Sequence, residues 1–174
     1  IGIDSFNRAL GKFIDRYRYK HDPYPNIGQF ISTLREETPE DLQYLITDTF
    51  EKITLYENKA KSAKAIENSD GTYNLHLEVE AKKVYSDSLG VQTTATLNDW
   101  LEIGVIAEKI IDGNKQEIPI YVQKVLITDS LSTFDIKLEE KPFKAGIDPL
   151  YNFVDRDSKD NLMKVSFDLS ENKI

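Results

Sequence analysis

The chain has 174 residues, no cysteine, only two histidines, and 22 basic against 30 acidic side chains. Its length fits one domain, or one domain with a helical appendage, and suffices to bury a core, while the missing cysteines exclude disulfides and thiolate zinc sites. The net charge of −8 lies wholly in residues 67–174, because residues 1–66 carry ten basic and ten acidic side chains, and an acidic surface argues against nucleic acid or an anionic membrane as partner.

The first third reads as helices. Phe6, Leu10, Phe13, Ile14 and Tyr17 share one face at helical spacing, with Asp4 or Ser5 as the cap, and "DPYPN" ends that element because proline disfavours helical geometry before it. Asn26 is expected to cap a second helix with an apolar stripe of Ile27, Phe30, Ile31 and Leu34. A third is expected to start with Thr38 as cap, Pro39 at the first helical position and Asp41 accepting from free amides, its face made by Leu42, Leu45, Ile46 and Phe50. Three short helices do not make a stable bundle alone, so they are expected to pack on something else.

After about residue 52 the period changes to two. In "TYNLHLEVEA" Tyr73, Leu75, Leu77, Val79 and Ala81 alternate with Asn74, His76, Glu78 and Glu80, and the turn "NSDG" joins this strand to "ITLYENKAKSAKAI". Leu101, Ile103, Val105 and Ala107 repeat the pattern. "DGNK" turns the chain into "EIPIYVQKVLI", where Pro119 marks a sheet edge or bulge. Phe134, Ile136 and Leu138 form a further strand, and Met163, Val165, Phe167 and Leu169 the last. Short strands joined by turns, with no helical crossover, indicate an antiparallel β-sandwich.

Little in the sequence points to chemistry. A zinc peptidase needs two histidines one helical turn apart with a glutamate as base, which His21 and His76 do not supply; each reads as a surface group. There is no G-x-S-x-G elbow, no phosphate loop and no nucleophilic cysteine. Glu36 and Glu37, beside Glu40 and Asp41, resemble paired carboxylates but are explained by the dipole at a helix start. "KLEEKPFK" reads as a solvated charge run, and Trp100 in "LNDWLEIGV" as a core residue rather than a ligand platform. In "KAGIDPLYNFVDRDSKDN" Asp148, Asp155, Asp157 and Asp160 suggest a metal loop. Counted from Asp155, however, a calcium loop would have Lys159 at its fifth position, Asp160 in place of the glycine at the sixth and Ser166 in place of the glutamate at the twelfth. The stretch therefore reads as a structural turn, with Gly146 permitting a tight or bulged backbone and Pro149 fixing the next turn. Asp155, Asp157 or Asn161 would accept amide hydrogen bonds, and Arg156 would pair with a neighbouring carboxylate.

The order of segments carries a resemblance. "ISTLREETPEDLQYLITDTFEKITLYENKA" resembles the helix, acidic helix and first strand near the C-terminus of zinc aminopeptidases of the aminopeptidase N type, and more closely the bacterial proteins that fuse an ABC-transporter-type permease to such a peptidase. "LNDWLEIGV" and "AGIDPLYNFVDRDSKDN" are similar to late segments of the same proteins, and the resemblance runs from "FNRALGKFIDRYRY" to the end. It implies an α+β chain: residues 1–51 a helical segment of about three helices continuing the peptidase's helical part, and residues 52–174 an immunoglobulin-like antiparallel β-sandwich. The H-E-x-x-H helix, the third glutamate ligand and the glycine-rich strand of those enzymes have no counterpart here. Zinc is accordingly expected in an upstream catalytic domain, with no catalytic, cofactor or metal residue in this chain. With no run of roughly 18 apolar residues and no leader segment, the chain is expected to be a soluble piece of a longer, membrane-anchored bacterial protein, beginning at Ile1 without a methionine. Its expected partners are the upstream catalytic and helical modules, which it packs against and positions. The alternative is a free-standing peptide- or glycan-binding sandwich. The first reading expects an exposed apolar patch on the helices, the second a closed surface with an aromatic-lined groove.

Overall fold

The computed structural model describes residues 1–167, so Leu169, assigned to the last strand, lies outside the described residues. The chain forms two compact units, Ile1–Thr54 and a second from Leu55 onward, in an α+β arrangement.

The first unit holds α1 (Ile3–Tyr17), α2 (Ile27–Glu36) and a third helical stretch that changes pitch twice. A 3₁₀ turn at Glu40–Leu42 leads into α3 (Gln43–Ile46) and a π turn at Thr47–Glu51. The start of α2 is as expected: Asn26 Oδ1 accepts from the Gln29 amide at 3.2 Å and Gln29 Oε1 from the Asn26 amide at 2.8 Å, a reciprocal capping box. The other two starts differ. α1 begins after Gly2 with no side-chain cap, so neither Asp4 nor Ser5 serves. Thr38 caps nothing; it is buried, and its hydroxyl donates to the Leu34 carbonyl at 2.8 Å. The reason lies in Gln43, whose amide nitrogen donates to the Arg35 and Thr38 carbonyls at 3.0 and 2.8 Å, making Thr38 part of the close of α2. The Arg35 guanidinium then ties α2 to the third stretch through Gln43 Oε1 (2.8 Å), Thr47 Oγ1 (3.0 Å) and Glu51 Oε2 (2.7 Å). The buried core here is small: Ala9, Leu34 and Ile46, with Ile1, Phe30 and Ile31 against it.

Among the described residues, the second unit contains nine strands in two sheets. Four of the strands, β1 (Ile53–Glu67), β2 (Tyr73–Ser86), β3 (Gln92–Thr94) and β6 (Leu131–Leu138), join β9 (Ser166–Phe167) in one sheet, ordered β3-β2-β1-β9 with β6 also on β2. The other sheet runs β5 (Asn114–Ile127), β4 (Asp99–Ile111), β7 (Lys144–Ile147), β8 (Leu162–Lys164). The period-two faces meet in one core. Leu75, Leu77, Val79 and Ala81 from β2 and Ile136 and Leu138 from β6 pack with Leu101, Ile103 and Val105 from β4 and Ala145 and Ile147 from β7. The register pairs Leu75 with Ile136 and Leu77 with Phe134. Asp112 and Gly113 both have left-handed backbones (φ 51° and 77°), as a two-residue hairpin turn between β4 and β5 requires. Pro119 sits on the edge strand β5 beside a register shift opposite Val105 and Ile106, so edge and bulge both occur.

Three features correct the sequence reading. Residues 163–167 are not one strand: β8 pairs antiparallel with β7, β9 pairs with β1, and the chain passes between sheets at Val165. The β1–β9 pairing is parallel, and Tyr56 and Asp155 bridge in the same sense, so the sheets are not wholly antiparallel. Trp100 is 48 % exposed, because Asp99, Leu101, Ile103 and Val105 take the inward positions of β4.

Candidate functional site

The aspartate-rich segment is built as a set of closures between strands. Gly146 on β7 lies so close to the next strand that a Cβ would stand 1.8 Å from the Asn161 carbonyl oxygen, which accepts from the Ile147 amide at 3.0 Å. One step on, Pro149 lies where a Cβ of Gly104 would be, with Cγ 2.3 Å from that position. Asp148 has a left-handed backbone (φ 48°) and no exposed surface. Its carboxylate accepts from the amides of Asn152 (2.8 Å) and Phe153 (3.2 Å), and its own amide donates to the Glu102 carbonyl at 2.7 Å. Desolvation pushes the Asp148 carboxyl above its ordinary range, against the pull of those two amides, and Glu102 and Asp155 add to the rise.

Asp155 and Asp157 are likewise occupied by backbone. Asp155 accepts from the Asn58 amide (2.9 Å) and the Asp157 amide (3.0 Å), and Asp157 caps the short 3₁₀ turn at Ser158–Asp160 through the Lys159 amide. Asn161 is buried, and with its amide turned so that the nitrogen faces these acceptors it donates to the Asn58 carbonyl at 3.0 Å and to Asp155 at 3.2 Å. Arg156 pairs with Glu57 of β1 at 3.2 Å and not with a carboxylate of its own stretch; Lys59 reaches Asp160 at 3.2 Å. Asn58, Asp155, Asp157 and the Arg156–Glu57 and Lys59–Asp160 pairs border a cavity of about 370 Å³ completed by Lys61 and Lys82, both paired with Glu80, a charged lining with no aromatic wall. Among the described residues no group of three or more histidine, cysteine or acidic side chains is placed to hold a metal.

His21 Nδ1 is 3.1 Å from the Tyr19 carbonyl in the first unit, and His76 Nδ1 is 2.7 Å from Asp135 on the outer face of the β2–β6 pair in the second. His76 borders a groove of about 470 Å³ with Lys64, Ile66 and Lys137. Glu36 and Glu37 lie at the end of α2, not in a first turn, so the dipole does not explain them. Arg16 holds Glu36 through two hydrogen bonds of 2.7 and 2.9 Å, and Arg8 and Lys12 hold Glu37, which lowers the pKa of both carboxyls. In "KLEEKPFK", Glu140 pairs with Lys109 and Lys144 with Glu117.

One buried cluster escaped the sequence reading. Lys83 of β2, Asp99 of β4 and Tyr56 of β1 meet in the interior: the ammonium lies 3.0 and 2.9 Å from the two Asp99 oxygens, and the Tyr56 hydroxyl donates to Oδ1 at 3.0 Å. The signal was present in the alternation, since Lys83 follows Val79 and Ala81 on the inner face and Asp99 precedes Leu101 there. All three are at most 5 % exposed, which closes them to a substrate and makes them a polar cross-link between the sheets.

No helix of the described residues is long and apolar enough to cross a membrane. No family model, curated protein or solved structure matches this chain.

Proposed function

We propose that this chain is the non-catalytic C-terminal accessory region of a zinc aminopeptidase-like, permease-fused membrane protein, in which it packs on the catalytic module and positions it. The observation that carries this reading is the apolar arc left open on the helical unit. Ile3, Phe6, Leu10 and Ile14 of α1 and Ile27 of α2 are all exposed, Ile3 by 70 % and Ile14 by 50 %, although they form the apolar stripes that make these helices amphipathic. Such a stripe needs an apolar cover, and the small core of Ala9, Leu34 and Ile46 uses only part of it. In this reading the second unit is an immunoglobulin-like sandwich, supported by its two sheets around one core. In this reading zinc and catalysis belong upstream, since His21 and His76 lack the one-helical-turn spacing of the family's ligands.

The test is expression of the chain alone and joined to its upstream coding sequence, followed by hydrogen exchange. Slower exchange of α1 in the longer protein is expected. Equal exchange in both rejects the accessory role. The alternative, a peptide- or glycan-binding module, draws on exposed Trp100 and its cross-strand neighbour Leu126; a micromolar ligand that quenches Trp100 in the isolated chain would favour it.

A further inference from the structure

Among the described residues Lys83 is the one lysine or arginine that is buried, and it continues the inward row of Val79 and Ala81 on β2. Asp99 meets it from β4, in the other sheet. The lysine nitrogen stands 3.0 Å from Oδ1 and 2.9 Å from Oδ2, which sets it roughly 3–3.5 Å from the Cγ between them, the separation of a near-attack pair. Both oxygens are also held. Oδ1 accepts from the Tyr56 hydroxyl at 3.0 Å and Oδ2 from the Asn98 amide at 3.1 Å, so donors already face the oxygens on which charge grows when a nucleophile adds to Cγ. An amine, a carboxyl carbon and two donors are thereby assembled in the interior.

We propose that Lys83 and Asp99 condense to an intramolecular amide that ties β2 to β4 covalently. The ion pair is the form that folding delivers, and condensation follows it. One ammonium proton passes to Oδ1, the freed amine attacks Cγ, and the Nζ–Cγ bond forms as the Cγ–Oδ1 bond breaks. A second proton leaves the nitrogen for Oδ1 by way of Tyr56, whose hydroxyl gives its own proton to that oxygen and recovers one from Nζ. Oδ1 departs as water. The third proton stays on the amide nitrogen, and Oδ2 remains as the amide oxygen, accepting from Asn98; the step is a dehydration in which nothing is oxidised or reduced. Two effects favour it. A buried ion pair carries the desolvation of two charges, which a neutral amide does not. The fold also holds the groups together in advance, an arrangement that reaches effective molarities of about 10⁵–10⁸ M in well-oriented intramolecular reactions. With no cysteine in the chain, a disulfide cannot serve as the tie between sheets.

The experiment is intact-mass spectrometry of the whole chain, followed over days after purification, with peptide mapping of a tryptic digest. The wild type should become lighter than its sequence by the mass of one water. Its digest should contain one branched peptide in which Lys83 and Asp99 are joined, with no cleavage after Lys83. Lys83→Met and Asp99→Leu should each keep the full mass of their sequences, and Tyr56→Phe should form the branched peptide about a hundredfold more slowly. A wild type that stays at full mass overturns the proposal without reference to any variant. Water loss that maps to Asp70–Gly71 or Asp112–Gly113, where an aspartate can cyclise onto the following glycine amide, overturns it as well if the branched peptide is missing. Equal rates in wild type and Tyr56→Phe overturn the proton relay through that hydroxyl.

Discussion

Lys83 and Asp99 form an ion pair inside the second unit, 3 % and 2 % exposed, with the ammonium within 3.0 Å of both carboxylate oxygens. Asp99 also accepts from the Tyr56 hydroxyl and the Asn98 amide, so its charge is fully partnered. A buried pair of this kind gains little over an apolar pair of similar volume, but losing one partner strands a charge. Lys83→Ala or Asp99→Ala should each destabilise the unit by about 3–5 kcal/mol, and Lys83→Met with Asp99→Leu by less than either. Urea unfolding followed by the fluorescence of Trp100, the sole tryptophan, reads this unit separately from the helices. A loss below about 1 kcal/mol in both single variants would show that water reaches the pair.

The β2–β6 register makes a second prediction. Ile136 opposite Leu75 points into the core, whereas Thr133 opposite Glu78 is exposed. Ile136→Ala should cost about 2–5 kcal/mol, and Thr133→Ala less than about 0.5 kcal/mol. Comparable losses in both would place the strand one residue out of register.

Where period and turn chemistry agree, the sequence was sufficient: β2, β4, β5 and β6, the Asp112–Gly113 turn and the Asn26 cap all follow from local residues. The helix starts at Asp4 or Ser5 and at Thr38 failed for a non-local reason in the second case, since Gln43 claims the carbonyls that mark the end of α2. The sheet switch at Val165 was equally illegible, because Met163, Val165 and Phe167 alternate as one strand would, and only the competition between β7 and β1 for partners divides them. Of the candidate groups, Asp155 and Asp157 were legible as amide acceptors, whereas Asp148 was not, and the Asn161 side chain donates instead of accepting. Arg156 was not legible as a partner of Glu57, a contact between residues 99 positions apart.

Gly146 and Gly104 mark the closest approaches in the second sheet. A methyl at Gly146 would lie 1.8 Å from the Asn161 carbonyl oxygen, a backbone atom that cannot swing aside without breaking its bond to the Ile147 amide. At Gly104 the obstacle is the ring of Pro149, itself held in a loop. Gly146→Ala should reach or exceed the upper end of the roughly 1–3 kcal/mol typical of overpacking, and Gly104→Ala should fall within it. Thermal melts ordering the variants the other way would mean that β8 moves more freely than the Pro149 loop.

Calcium should leave the protein unchanged. Asp148, Asp155 and Asp157 already accept backbone amides, and a bound ion would have to displace those bonds before it stabilised anything. Melting temperatures in excess EGTA and in millimolar calcium should therefore coincide. A rise of several degrees with calcium, abolished by Asp155→Asn with Asp157→Asn, would make this loop a metal site.

Asp148 gives the second unit a pH dependence of unusual sign. Two effects compete at its carboxyl: burial favours the protonated form, and the amides of Asn152 and Phe153 favour the charged one. Burial wins, so the folded pKa lies above the unfolded value of about 3.9. Protonation therefore favours folding: the contribution is fully present below the unfolded pKa and is lost as pH rises through the folded one. Asp70 and Glu80, whose values are lowered, act in the opposite direction, but they are common to any pair of variants at position 148 and cancel in the difference. The comparison to make is wild type against Asp148→Asn, which keeps one acceptor oxygen and cannot ionise. Its loss of the second acceptor is a constant at all pH, so the stability difference, wild type minus variant, should fall as pH rises past the unfolded pKa of about 3.9 and level off above the folded one. A difference that grows over this range would mean that the Asn152 and Phe153 amides outweigh burial and that Asp148 is charged to stabilise its loop.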